Sequence, residues 1–315
     1  VEDAGAPSEH GLRIVAVRSS PSDHRRPVID VLSEIGWRDR TTQAFFAFQE
    51  AESMTRKGKI YLVGAGPGDP ELLTVRAHRL LGQAGLVLHD DLVPQPILAL
   101  AAAGAEVVNV GKRCGPKSTT QEEIHARMIQ ASRQGLDVLR LKSGDPGIFG
   151  RLAEEMDALD AAGVAYEVVP GVTAGIAAAA SLGVSLTDRR KGARVVIVTG
   201  HQAYPESAGK IDWKGLARED AMLVVYMPGH EFASLRQELL QAGLSSETPA
   251  AIVSRATTLE QRQQFTTVGD LTSLPRFEAP SILLIGRPLE AASAQARVEK
   301  LSRAIDCAEL LLATP

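Results

Sequence analysis

KIYLVGAGPGDPELLTVRAHRLLGQAGLVLHDD, residues 59–91, is the stretch on which the reading of the chain turns. Ile60 to Val63 is an unbroken apolar run that ends in Gly64, Gly66 and Gly68. LLTVRAHRLLGQAG then places apolar residues at helical spacing, and LVLHDD is a second apolar run closed by the acidic pair Asp90–Asp91. Strand, glycine turn, helix and strand in succession are the unit of a parallel α/β sheet. Glycines at that turn let the backbone approach a ligand with no Cβ in the way. Such sheets bind their ligands beyond the carboxyl ends of the strands. The spacing is GxGxG rather than GxGxxG, Pro67 has no amide proton to offer a phosphate, and no GK[ST] ending follows. Taken alone, the loop leaves three readings open: an NAD-dependent oxidoreductase, a site for another nucleoside-type ligand, and a plain tight turn.

The same alternation extends outward. Helical patterns are expected over Ile97–Ala103, Gln121–Arg133 and Gly150–Ala162, and strands over Glu106–Val110, Asp137–Leu141 and Tyr166–Val169. Val168 to Thr187 carries no charge for 20 residues, but alanine supplies much of its apolar bulk and Pro170 and three glycines break it. A membrane span needs continuous strong apolarity over about 20 residues, so this stretch reads as a strand end, a glycine turn and a buried helix. Strand runs then resume at Val195–Thr199, Met222–Tyr226, Ala250–Val253 and Ser281–Ile285, with a helix over Leu235–Ala242. The expected organisation is an N-terminal domain over 58–175 and a C-terminal domain over 176–290. A helical tail at 291–315 follows them, and an extension of unassigned role precedes them at 1–57. In the extension, 19–27 reads as a loop, with helical patterns at Val28–Gly36 and Gln43–Met54.

The 34 Lys and Arg against 38 Asp and Glu leave a net charge of −4, which argues against a nucleic-acid binder. Seven Phe, four Tyr and two Trp are too few for a series of base-stacking platforms. Cys114 and Cys307 share no CxxC or Cys/His spacing, so neither a disulfide framework nor a metal site is expected, and a reducing, cytoplasmic setting is. VEDAGAPSEHG at the N-terminus has neither a basic nor an apolar region of a secretory signal, and the chain begins at Val, which is compatible with upstream residues having been removed.

Further motifs follow in order: VGKRCG (110–115), QEEI (121–124), RLKSGDPGIFGR (140–151), EVVPGVTAGIAAAA (167–180), LTDRR (186–190), VTGH (198–201) and VYMPG (225–229). With GAGPGDPELLT, they make the chain resemble the tetrapyrrole methylase superfamily over about residues 58–287. Within it the likeness is strongest to the uroporphyrinogen-III C-methyltransferases, including the methylase half of siroheme synthase. The resemblance implies a two-domain α/β fold, each domain a parallel or mixed sheet flanked by helices, with S-adenosylmethionine in the interdomain cleft. It implies a homodimer that methylates uroporphyrinogen III at carbons 2 and 7, giving precorrin-2 by way of precorrin-1 and leaving S-adenosylhomocysteine. No metal, nucleic-acid or membrane partner is implied. Another precorrin methyltransferase, or a tetrapyrrole-binding homologue without activity, stands as the alternative.

Carried over motif by motif, the resemblance puts Pro67, Ser143, Gly144, Asp145, Ile148, Thr173, Ala174, Met227 and Ala256 at the cofactor. Asp90 takes the place of the proton acceptor and Lys112 that of the proton donor. The substrate bears eight carboxylates, which planar guanidinium groups pair with well; Arg113, Arg151 and Arg189 are its expected partners. Each has a plainer reading beside it: Asp90 as a turn residue, Lys112 as a carboxylate partner, Asp145 as an acceptor for loop amides. His89 reads as packing, His201 as a structural hydrogen-bonding residue, and Thr120-x-x-Glu123 as a capping box. The family's GGDP is SGDP here, FGRGGEE is FGRLAEE, LTHR is LTDRR, YMG is YMPG, and Ala256 replaces a glycine. Asp188 therefore adds a carboxylate where a polyanion is expected to bind.

Overall fold

The apolar runs pair with one another as a parallel unit requires. The computed structural model describes residues 57–111, 119–190, 192, 194–200 and 211–296. Its first sheet holds β1 (Ile60–Gly64), β2 (Leu86–His89), β3 (Glu106–Asn109), β4 (Val138–Lys142) and β5 (Tyr166–Val169) in the order β3-β2-β4-β1-β5. Every pairing in it is parallel. Side chains alternate between two cores, as the period of a strand demands. Val63, Val87, Leu139 and Leu141 face one core with α1 (Val75–Leu81) and α2 (Gln95–Leu98). Ile60, Leu62, Leu86 and Val138 face the other with α3 (Gln121–Arg133) and α4 (Leu152–Ala161). β1 leads on to β2 and β4 leads on to β5, so the connections from adjacent strands β1 and β4 run in opposite directions. Their carboxyl ends form a switch point, the position at which such sheets bind ligands.

α3 starts as its sequence predicts: Thr120 Oγ1 accepts from Glu123 N–H (3.2 Å) and Glu123 Oε2 accepts from Thr120 N–H (2.8 Å). The helix expected over Ile97–Ala103 is instead the single turn Gln95–Leu98. Proline is well suited to a helix's first turn, and Pro94 and Pro96 draw the start forward. The expected helical residues beyond Leu98 turn back instead, with Ala105 N–H donating to Ala102 C=O at 2.9 Å.

The charge-free segment resolves into the end of β5, a turn, and α5 (Ala174–Ser181), whose Gly175 and Ala177 to Ala179 are buried. α5 packs on the second sheet, made of β6 (Arg194–Thr199), β7 (Ala221–Tyr226), β8 (Pro249–Ser254), β9 (Arg262–Thr267) and β10 (Ser281–Ile285) in the order β6-β7-β10-β8-β9. Here only β6 and β7 run parallel; the other three pairings are antiparallel. Met222, Val224 and Tyr226 face α5, while Leu223 and Val225 face α6 (Trp213–Leu216) and α7 (Ala233–Gln241). No described helix is long and apolar enough to cross a membrane. The expectations for the extension at 1–57 fall, except at Lys57, outside the described residues, as do both cysteines and most of the tail at 291–315.

Candidate active site at the carboxyl ends of the first sheet

The loop after β1 and the loop after β4 are joined through their backbones. Gly66 N–H donates to Gly144 C=O (3.1 Å), Gly144 N–H donates to Gly66 C=O (2.7 Å), and Ala65 N–H donates to Lys142 C=O (2.7 Å). The turn after β5 closes against the same point. A Cβ on Gly64 would sit 2.6 Å from both Gly144 O and Gly171 N, so three backbones meet where no side chain fits. Gly66 and Gly144 are left-handed, with φ of 71° and 68°. Asp145 holds the junction together, since Gly147 N–H donates to its Oδ1 (2.8 Å) and Gly171 N–H to its Oδ2 (3.0 Å). The plainer reading of Asp145 as an acceptor for loop amides is therefore present in the structure.

The second lobe supplies the facing wall. Asp69 N–H donates to Thr257 Oγ1 (3.2 Å), and a Cβ on Gly68 would lie 2.7 Å from Thr258 Cγ2. Tyr226, at the end of β7, reaches across to α5. Its hydroxyl is 2.6 Å from Thr173 Oγ1 and accepts from Gly175 N–H at 2.7 Å. Its ring packs on Phe149 with centroids 5.2 Å apart. Burial pushes the Tyr226 phenol pKa upward, so it keeps its proton. Phe149, Arg151, Met227, Arg255 and Thr257 all have positive φ, between 47° and 69°; Phe149 packs on Tyr226 and Thr257 accepts from Asp69 N–H. Side chains held in that conformation are costly and gather where a site constrains them.

Beneath the junction lies a charged cluster that the sequence reading missed. Glu155 is fully buried; its Oε1 accepts from Arg140 Nε (3.0 Å), Lys142 Nζ (2.8 Å) and Gln121 Nε2 (3.3 Å). Arg140 also pairs through Nη2 with Asp90 Oδ1 and so ties the cluster to the end of β2. Burial works against the Arg140 charge, but Asp90 and Glu155 outweigh it and raise its pKa. Lys142 moves the other way, lowered first by burial and then by the neighbouring Arg140.

The structure thus brings Pro67, Ser143, Gly144, Asp145, Ile148, Thr173 and Ala174 together around the glycine junction. Met227 and Ala256 stand on the second-lobe wall. Asp90 is two strands from β1 at the same edge, its side chain 30% exposed. Arg151 opens α4, with Nε donating to Glu154 Oε1 at 2.7 Å. Arg189 is exposed in the segment after α5, and the described contacts do not join it to the junction. Lys112, Arg113 and His201 lie outside the described residues. His89 is buried, with Nδ1 2.9 Å from Asp90 O, in keeping with a packing role. Asp188 is occupied locally: Arg190 donates to it from its backbone N–H (2.9 Å), Nε (3.0 Å) and Nη2 (2.9 Å). Tyr226 lies inside the VYMPG motif, yet nothing in the motif marks the phenol as the group that spans the lobes.

A dinucleotide fold wants a free acid at the end of β2 for a ribose, and here that acid is engaged by arginine. Glycine backbones joined at a strand switch point, with residues of a second sheet facing them, define an α/β fold of two sheets flanked by helices. Residues 59–272 match the family of Tetrapyrrole (Corrin/Porphyrin) Methylases, and the chain belongs to it. It is 39% identical over 232 residues to the S-adenosyl-L-methionine-dependent uroporphyrinogen III methyltransferase of Methanosarcina barkeri, covering 73% of this chain and 91% of that one. It is 42% identical over 236 residues to a siroheme synthase of Thiobacillus denitrificans, covering 73% of this chain but 48% of that one. The chain therefore spans about half the length of the siroheme synthases it matches. Among solved structures, the uroporphyrin-III C-methyl transferase of Thermus thermophilus, complexed with S-adenyl homocysteine, superposes with a TM-score of 0.64 at 37% identity. That match covers 74% of this chain and 94% of the other.

Proposed function

We propose that this chain is an S-adenosylmethionine-dependent C-methyltransferase acting on uroporphyrinogen III, methylating carbons 2 and 7 to give precorrin-2 by way of precorrin-1. The observation that carries this reading is the glycine junction between β1 and β4, in a chain similar over 74% of its length to a Thermus enzyme solved with S-adenyl homocysteine. The family resemblance and the cysteine usage support a cytoplasmic homodimer, and the product would serve siroheme or cobalamin synthesis. When bound, S-adenosylmethionine supplies an electrophilic methyl group. The backbone at Gly64–Gly68 and Ser143–Asp145, with Ile148, Thr173, Ala174, Met227 and Ala256, would hold it.

Placing an electron-rich pyrrole carbon against that electrophile is mostly a matter of orientation. Arg113, Arg151 and Arg189 would pair with substrate carboxylates, Arg151 by sharing or releasing Glu154. The extra carboxylate at Asp188 is no obstacle to a polyanion, because Arg190 already neutralises it. Asp90 would accept the proton that the methylated tetrapyrrole sheds, and Lys112 would donate one. Arg140 holds Asp90 Oδ1, while Oδ2 makes no hydrogen bond among the described residues.

Calorimetry with S-adenosylhomocysteine, followed by mass spectrometry of the product formed from uroporphyrinogen III, tests the reading. Binding and a gain of two methyl groups are expected. Folded protein that binds no S-adenosylhomocysteine would sink it. Asp90→Asn should lower kcat by about 10²–10⁴-fold while leaving S-adenosylhomocysteine affinity in place. Full activity in that variant would remove Asp90 from the chemistry.

A further inference from the structure

Thr173 occupies the N-cap of α5, yet its side chain makes no capping hydrogen bond. A threonine there ordinarily accepts from an amide of the first turn. In this chain the Gly175 amide goes to the Tyr226 hydroxyl instead, at 2.7 Å. The direction of the remaining bond follows from counting protons. An amide can only donate, so Tyr226 Oη accepts from Gly175. The phenol keeps its own proton, and a buried hydroxyl must place that proton on an acceptor. Thr173 Oγ1, at 2.6 Å, is the only other partner of Tyr226 Oη among the described residues. Tyr226 is therefore the donor in that pair, and the Thr173 hydroxyl proton is left to point elsewhere.

That proton has one evident direction. A Cβ built on Gly144 would lie 3.9 Å from Thr173 Oγ1 and 3.7 Å from Ala174 N, so both groups border the glycine junction. The Ala174 amide, first in α5, makes no hydrogen bond among the described residues. One O–H and one N–H thus converge beside Gly144, where the two lobes meet.

We infer that Tyr226 is a positioning residue that fixes Thr173 as a hydrogen-bond donor to an acceptor atom of the cofactor. The inference rests on the S-adenosylmethionine reading above and assigns a role to a residue that no part of that reading uses. Tyr226 acts in two ways: it takes over the helix cap, and by donating to one Thr173 lone pair it turns the threonine proton away from itself, toward the junction. Without the phenol oxygen, Thr173 can turn back and cap its own helix. The fold then keeps a cap, and the cleft loses a donor.

Calorimetry with S-adenosylhomocysteine on wild-type protein, Tyr226→Phe, Thr173→Val and the double variant separates this role from a structural one. Tyr226→Phe and Thr173→Val should each weaken binding about tenfold, the worth of one strong hydrogen bond. The double variant should bind no more weakly than Thr173→Val alone, because both changes remove the same donor. Thr173→Ser should bind like wild type, and Tyr226→Phe should melt close to wild type because Thr173 takes over the cap. Wild-type affinity in Tyr226→Phe, additive losses in the double variant, or a Tyr226→Phe protein that does not fold would each overturn the inference while leaving the methyltransferase reading intact. Wild-type protein that binds no S-adenosylhomocysteine would overturn both.

Discussion

The two walls of the cleft are built by opposite means. On the first-lobe side, the chain removes side chains: Gly64, Gly144 and Gly171 bring three backbones into contact, and Glu155, Arg140 and Lys142 form a buried ionic base. On the second-lobe side, it keeps side chains and bends the backbone to aim them: Met227, Arg255 and Thr257 are left-handed residues that carry full side chains, as Phe149 and Arg151 are in the loop that leads into α4. Their base is apolar, made of Ala251, Val253, Ile282 and Leu284. The first wall is defined by what cannot be added, the second by where its side chains point. A substitution on the first wall should therefore act mainly on folding, and one on the second mainly on binding.

The largest effect should come from Gly64→Ala. Its Cβ would meet Gly144 O and Gly171 N at 2.6 Å, and both are backbone atoms of loops fixed by hydrogen bonds of their own. Neither can move without opening the Gly66–Gly144 pairing. A loss above about 5 kcal/mol is expected, the exceptional range for a single change, and urea denaturation would measure it. A variant that unfolds within about 1 kcal/mol of wild type would mean the junction is looser than the backbone contacts imply.

Glu155→Ala comes next. Arg140 and Lys142 are 3% and 2% exposed, and Glu155 is the acidic partner they share. Removing one member of a buried pair leaves uncompensated charge and costs about 3–5 kcal/mol. Because Arg140 also holds Asp90, the same variant should disturb Asp90 and lower kcat, which links the base of the first wall to the chemistry. Equal stability with unchanged kcat would show that the cluster supports neither.

How much of this was legible in the sequence depends on whether a residue's neighbours are local. β1 and β2 could be read because a parallel strand covered on both faces is a nearly continuous apolar run. The glycine loop could be read because its turn follows such a run directly. β9 could not: RQQFTT is a polar edge strand whose first residues are exposed, so no apolar pattern marks it. The antiparallel pairings of the second sheet were equally hidden, since an apolar run such as SILLI carries no direction. Among the site residues, Asp90, Gly144 and Thr173 stand in motifs that stay together in the chain. Arg140, Lys142 and Glu155 were missed for a different reason. In RLK and in LAEE they look like ordinary surface charges, and only the packing of α4 beneath β4 buries them together. Nothing local separates Glu155, which is fully buried, from Glu154, whose side chain is 43% exposed.

The smallest effect on stability, and the sharpest test of the contrast, is expected from Met227→Gly. Met227 follows Tyr226 directly, has φ of 47°, and is 47% exposed. Glycine relieves the left-handed strain, worth about 1–2 kcal/mol for an ordinary residue, and gives back about 0.5–1 kcal/mol in unfolded-chain entropy. The net change in stability should stay within about 1 kcal/mol, far from the loss at Gly64. Binding should respond in the other direction. If the backbone at 227 is bent in order to hold a side chain over the cofactor, Met227→Gly should weaken S-adenosylhomocysteine by about tenfold, the worth of a partly buried methionine side chain. A variant that loses stability and keeps its affinity would make the second wall a structural element like the first. One that keeps stability and loses affinity would establish that Met227 belongs to the adjustable face of the site, and Gly64 to the fixed one.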